Sequence, residues 1–165
     1  MYERPRATDD AEREELLREG LGDAGARGGA LGGGAAGRLG GRFGARLAAK
    51  LLPTRHHEQE IELLAVLPEV AAGLAWDVLA HLGRGVATRD DGADGHLVRG
   101  VVGAGALDMN PAVVDVHVRP GGKLTVHAAA KEGLIPQGTA RDAAEKVVES
   151  LRLAARTAGS DGAAR

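Results

Sequence analysis

The chain has 165 residues, of which 26 are glycine and three are aromatic, and its formal net charge is −2. This length excludes a large multidomain enzyme and allows one ordinary domain, or a small domain with an appendage. A charge near zero gives no general attraction to nucleic acid or to membranes. Cysteine is absent, which excludes disulfides, thiolate nucleophiles and thiolate metal sites.

Charge is distributed in three blocks along the chain. Residues 1–23 carry −4, residues 24–57 carry +6 and residues 58–165 carry −4. The start of the sequence lacks the basic region and apolar core of a signal peptide, so we expect a cytoplasmic protein. Arginine outnumbers lysine 17 to 4, which is typical of a high-GC bacterial genome.

An acidic N-terminal helix is predicted within residues 1–19. Thr8, Asp9 and Asp10 offer N-cap oxygens, and good helix formers follow them as far as Glu19. Acidic side chains in the first turns also suit the positive end of the helix dipole.

A basic, glycine-rich segment occupies residues 20–54, and its spacing is regular. Twelve glycines lie among residues 20–44. Projected on a helix at about 100° per residue, the glycines, the arginines and the trio Leu39, Phe43 and Leu47 fall into separate sectors. Two interpretations remain open, a helix with a ridge of small residues and a flexible linker. The glycines that recur every four residues are Gly25, Gly29, Gly33, Gly37 and Gly41.

This spacing resembles that of the glycine-zipper class, in which small residues let a second backbone approach a helix closely. The resemblance implies self-association through the five glycines. A membrane span is not expected, since the longest uncharged run, residues 28–37, has ten residues and a span needs about 20. An in-plane helix would instead turn its basic side chains toward an anionic membrane surface. These side chains are Arg38, Arg42, Arg46 and Lys50.

The same segment is similar to the glycine-arginine stretches of RNA-binding proteins, in the sequences GARGG and GGRFGAR. Such stretches bind phosphates through arginine and stack aromatic rings on bases. Only Phe43 could stack here, and six positive charges give weak, salt-sensitive attraction. Nucleic acid is therefore not the expected partner.

An α+β domain is predicted over residues 55–157, and a disordered tail over 158–165. Period-two alternation indicates the strands, and Pro68 and Thr139 mark the starts of two helices with apolar stripes. The predicted fold is a small antiparallel sheet, in the order strand, helix, three or four strands, helix, with both helices packed on one face. The second of these helices is expected to end near Thr157. Strands are expected at residues 60–67, 86–89, 96–107, 112–118 and 124–130.

This element order resembles that of helix-grip and related two-helix α+β modules. The resemblance implies an apolar ligand pocket between the sheet and the second helix. The residues expected to line it are Trp76, Val98, Val116 and Val126.

A cross-strand pair follows from one loop length. The three-residue loop Pro120-Gly121-Gly122 keeps the valines of both flanking strands on one face if Asp115 lies opposite His127 and His117 opposite Thr125. An Asp–His pair is open to interpretation as a catalytic dyad, as a pH-sensitive contact, or as a solvated cross-strand pair. The solvated pair is the favoured interpretation.

The sequence contains no recognised catalytic motif. A Walker A pattern and a dinucleotide fingerprint are both missing. The cluster His56, His57, Glu58 and Glu60 contains metal-ligating residue types, but adjacent histidines on an extended chain point in opposite directions. We interpret this cluster as an exposed polar junction.

The sequence therefore predicts a non-enzymatic protein that needs no cofactor or metal. Its glycine-ridged helix is expected to mediate self-association or peripheral attachment to a membrane face, while its α+β domain binds a partner. The expected partners are a second copy of the chain, another protein or an anionic membrane surface. The alternative function is binding of a small apolar ligand by the α+β domain.

Overall fold

The structure, a computed structural model, describes residues 7–63, 66–90, 95–104, 109–133 and 137–163. The helices are α1 (Ala7–Leu51), α2 (Pro68–Leu82) and α3 (Thr139–Ala163), and the strands are β1 (Thr54–Glu62), β2 (Gly83–Asp90), β3 (His96–Ala104), β4 (Asn110–Val118) and β5 (Lys123–Lys131). The predicted α+β class with an antiparallel sheet is confirmed. Residues 64–65 and 105–107 of the predicted strands lie outside the described residues, as do 1–6 and 164–165 of the predicted terminal segments.

The five strands form one sheet in the order β1-β5-β4-β3-β2, with antiparallel pairing throughout. The register between β4 and β5 places Asp115 opposite His127 and His117 opposite Thr125, as predicted. Gly121 and Gly122 in the connecting loop have φ angles of 86° and 80°, a region in which glycine carries no Cβ penalty. Strand alternation and loop length together therefore fixed this register.

The main core lies between the sheet and helices α2 and α3. Alternate residues of the strands point toward these helices, and the helices contribute mainly alanine, valine and leucine. The fully buried members include Leu79, Val98, Val116, Val126 and Leu151.

Helix α1 covers the other face of the sheet. Leu16 and Leu17 pack against Val113 of β4 and Ala129 of β5. At Gly20, a Cβ atom would lie 2.8 Å from the Cβ of Pro111, so glycine is needed for this close approach. The molecule is therefore layered as helix, sheet and helix pair.

Helix α1 is folded back on itself at Gly34. This residue has φ 58° and ψ −138°, which is not helical and is a conformation almost restricted to glycine. We call residues 7–33 the first arm and residues 35–51 the second arm. The arms run antiparallel, since Gly25 lies against Gly41 and Gly29 against Gly37. Residues 20–51 are thus helical on both sides of the turn.

Several element boundaries differ from those predicted, and the largest differences are at β1 and α3. Strand β1 begins at Thr54 instead of residue 60, because an edge strand with one exposed side accommodates the polar residues of this stretch. Helix α3 continues to Ala163, past the predicted end near Thr157. The backbone hydrogen bonding of its preceding turns extends into the segment predicted to be a tail.

Candidate functional site

The regularly spaced glycines form a contact within one chain. A Cβ atom at Gly25, Gly29, Gly37 or Gly41 would overlap a backbone carbonyl oxygen of the opposite arm. Gly33 lies just before the turn, where a Cβ atom would meet nothing within 4 Å. Four of the five glycines predicted for self-association therefore face a partner helix from the same chain.

The second arm exposes large apolar side chains on its outer side. The exposed fractions of Leu39, Phe43, Leu47 and Leu51 are 73%, 68%, 49% and 87%. A spacing of four residues places them on one face of the helix. We call these four residues the apolar stripe. A contiguous exposed apolar patch of this kind is typical of an interaction surface.

Basic residues run along one side of the apolar stripe. Arg38 and Lys50 are exposed, and Arg42 is half exposed, with an amino nitrogen 3.3 Å from a carboxylate oxygen of Asp23. Arg46 lies differently, because its side chain packs over Gly22 and its Nε is buried without a hydrogen-bond partner among the described residues. Three of the four predicted surface-contact residues are thus accessible.

A groove of about 650 Å³ opens between the two arms and the β2–β3 side of the sheet. This volume is in the range of ligand-binding clefts. Its walls are formed by Gly20, Asp23, Ala26, Arg27, Arg38, Leu39, Arg42, Leu82, Gly83, Arg84, Val101, Gly103 and Pro111.

The groove carries a strong excess of positive charge. Four arginines, Arg27, Arg38, Arg42 and Arg84, line it together with one carboxylate, that of Asp23. An amino nitrogen of Arg84 also lies 3.7 Å from a carboxylate oxygen of Glu19, and both of these side chains are partly exposed. Such an arrangement attracts anions.

A buried ionic cluster fixes the first arm to the sheet. Asp115 accepts hydrogen bonds from Arg99 Nε at 2.6 Å and from Arg13 at 2.7 Å. Arg99 donates a further bond to Glu12. Burial alone would raise the pKa of Asp115, but the hydrogen bonds and charges of the two arginines outweigh it and hold the pKa below its usual range.

His127 lies beside this cluster and stacks on His56. Their ring centroids are 5.3 Å apart. Burial and the neighbouring Arg13 charge lower the pKa of His127 to about 4, and burial also lowers the pKa of His56. The prediction of a solvated pair is wrong, since Asp115 is 1% exposed and His127 is 9% exposed. Both side chains are buried because helix α1 covers this face of the sheet. The carboxylate of Asp115 binds two arginines and makes no hydrogen bond to His127 among the described groups, which argues against a catalytic dyad.

The residues predicted to line an apolar pocket lie in the core or at its edge. Val98, Val116 and Val126 are fully buried beneath α2 and α3. Trp76 is 37% exposed, and its ring lies against Gly85. None of the four lines the arginine-rich groove.

The polar stretch at the start of β1 is divided between the two sheet faces. His56 and Glu58 pair with Ala129 and His127, whereas His57 pairs with Ala128 on the core side. Within the part of the chain that is described, no group of three His, Asp or Glu side chains is placed to hold a metal ion.

Sequence reasoning missed several residues of these sites. Arg84 and Arg99 carry no local signal, because only the folded sheet brings them to helix α1. Arg13 did carry one: its spacing from Leu16, Leu17 and Gly20 puts it on the buried face of its helix. An arginine in that position requires a buried acidic partner.

Comparison with family models, with curated proteins and with solved structures finds no match to this chain. No helix within the described ranges is long and apolar enough to cross a membrane.

Proposed function

We propose that the protein attaches peripherally to an anionic membrane surface through the second arm of α1, and that its α+β domain is a partner-binding module held at that surface. The apolar stripe is the observation that carries this proposal. Four large apolar side chains lie on one exposed helix face, as in helices that lie in the plane of a membrane interface.

The side chains beside the stripe support an anionic surface in particular. Arg38, Arg42 and Lys50 lie next to the stripe at helical spacing. Each Lys or Arg near an anionic membrane contributes about 1 kcal/mol of attraction. Burial of a large apolar side chain contributes about 1.5–3 kcal/mol when it is complete, and less at an interface. The two contributions together favour reversible attachment.

The glycine contact between the arms supports the same function indirectly. It packs Gly37 and Gly41 of the second arm directly on the backbone of the first arm. The side of the second arm opposite that contact is exposed, so it is available to bind another surface. Self-association through the stripe is the competing use of this face.

Vesicle flotation tests the proposal. We expect the wild-type chain to bind vesicles that contain phosphatidylglycerol, to bind pure phosphatidylcholine weakly, and to lose binding as salt screens the charges. Replacement of Phe43→Ser together with Leu47→Ser should weaken binding at least about tenfold, because two of the four inserted side chains are lost. The matched control is Leu153→Ser, which removes an apolar side chain 64% exposed on α3.

Equal vesicle binding by the double variant and the control would refute membrane attachment through the stripe. Sedimentation velocity without vesicles tests the competing use of the stripe, which is self-association. A wild-type oligomer that dissociates in the double variant, combined with no vesicle binding, would assign the stripe to self-association.

A further inference from the structure

We infer that the groove between the two arms and the β2–β3 side of the sheet is a binding site for a phosphate-bearing anion. The proposal rests on its four arginines and not on the apolar stripe. A soluble phosphate ester and a lipid headgroup carry the same chemistry, so the site does not depend on membrane attachment.

The fold brings four arginine residues to the groove from three separate places. Arg27 belongs to the first arm, Arg38 and Arg42 to the second arm, and Arg84 to β2. Two ion pairs offset part of this charge, Asp23 with Arg42 at 3.3 Å and Glu19 with Arg84 at 3.7 Å. The charges of Arg27 and Arg38 remain. Like charges around one space repel one another, and a bound anion relieves that repulsion.

The residue type favours phosphate over other anions. A guanidinium group presents planar N–H donors that match two oxygens of a phosphate at once. Arg27 and Arg38 make no hydrogen bond or ion pair to another described residue, so their donors are available. The groove volume of about 650 Å³ accommodates a headgroup or a small phosphate ester.

The experiment replaces two arginines that do not flank the apolar stripe, Arg27→Gln and Arg84→Gln. The matched control replaces the exposed Arg55 and Arg152 with Gln, which lowers the net charge equally. Calorimetry with inorganic pyrophosphate measures the soluble anion, and flotation with phosphatidic acid vesicles measures the headgroup. We expect the groove variant to lose about tenfold in affinity per arginine, and the control to stay within about twofold.

The outcomes separate the sources of the phosphate. Loss of pyrophosphate binding alone assigns the site to a soluble phosphate ester, whereas loss of vesicle binding assigns it to a lipid headgroup. If neither probe distinguishes the groove variant from the control, the proposal is overturned. Phe43→Ser with Leu47→Ser should leave pyrophosphate binding intact, so failure of membrane attachment and failure of the groove are distinguishable. Circular dichroism of every variant verifies the fold.

Discussion

At the residue scale, Asp115 and its partners explain how a polar sheet face becomes buried. Arg99 binds both oxygens of Asp115, Arg13 binds one of them from the first arm, and Glu12 accepts a bond from Arg99. Arg13 also donates to Asp10 at 2.6 Å, so the two arginines are matched by three carboxylates, of which Asp115 alone is buried. Such matching is required, because a buried charge without a partner is strongly destabilising.

The position of His127 in this layer makes folding sensitive to acid. In the native state His127 has a pKa of about 4, against 6.5 for an ordinary histidine. Between these two values the unfolded chain binds a proton that the native chain does not, so the free energy of unfolding decreases as pH falls through this range. The lowered pKa of His56 acts in the same direction.

We expect a loss of about 3 kcal/mol in the free energy of unfolding attributable to His127 between pH 7 and pH 4. Urea titrations across this range measure it. His127→Gln should flatten the pH dependence, because the glutamine side chain does not titrate. A pH dependence of the same size in the variant and the wild type would contradict this assignment.

The sequence predicts the pairing of Asp115 with His127 but not its burial. The register follows from valine alternation and from one loop length, both of which are local. Burial depends on helix α1, which lies about 100 residues away along the chain. The alternating polar residues Asp115, His117 and Arg119 look like a solvated face. Once that helix is placed, Asp115 is the one of the three that is fully buried, while Arg119 stays exposed.

At the element scale, the helical hairpin depends on the absence of Cβ atoms at four positions. Gly29 lies against Gly37, and Gly25 against Gly41. Gly40 is one residue away from Gly41 and faces open space, since a Cβ atom there would meet nothing within 4 Å. Two neighbouring glycines in one arm therefore have opposite packing environments.

We predict opposite effects of alanine at these two kinds of position. Gly29→Ala should separate the arms and lower stability, because its Cβ overlaps the carbonyl oxygen of Gly37. Gly40→Ala should raise stability by up to about 1 kcal/mol, since alanine is the better helix former. Thermal unfolding measures both. A stabilised Gly29→Ala variant would contradict the close contact between the arms.

The sequence indicates this element only in part. Four-residue spacing of glycine predicts a close helix contact, and the sectors at about 100° per residue separate the arginines from Leu39, Phe43 and Leu47. The turn at Gly34 is not visible, because glycines precede and follow it at the same spacing. The sequence therefore predicts a contact between two copies of the chain. In the structure, the same glycines form a contact between the two arms of one chain.

At the scale of the whole molecule, the sheet has a different role on each face. One face supports the α2–α3 core, and the other holds the first arm through apolar contacts and the buried ionic cluster. The first arm in turn packs against the second arm at the four paired glycines. The apolar stripe lies on this hairpin, and the arginine-rich groove lies between the hairpin and the sheet, so the proposed groove depends on the docking of the hairpin to the sheet.

The proposed attachment places the second arm at the headgroup level of an anionic membrane. The chain contains no cysteine, so one introduced cysteine provides a unique attachment point for an environment-sensitive fluorophore. Phe43→Cys places the label in the apolar stripe, and Leu153→Cys places it on exposed α3 as a control.

Emission spectra with phosphatidylglycerol vesicles give the most direct measurement. We predict a blue shift for the label at position 43, because it moves from water into the membrane interface, and no shift at position 153. An unchanged spectrum at position 43, or equal shifts at both positions, would contradict attachment through the second arm.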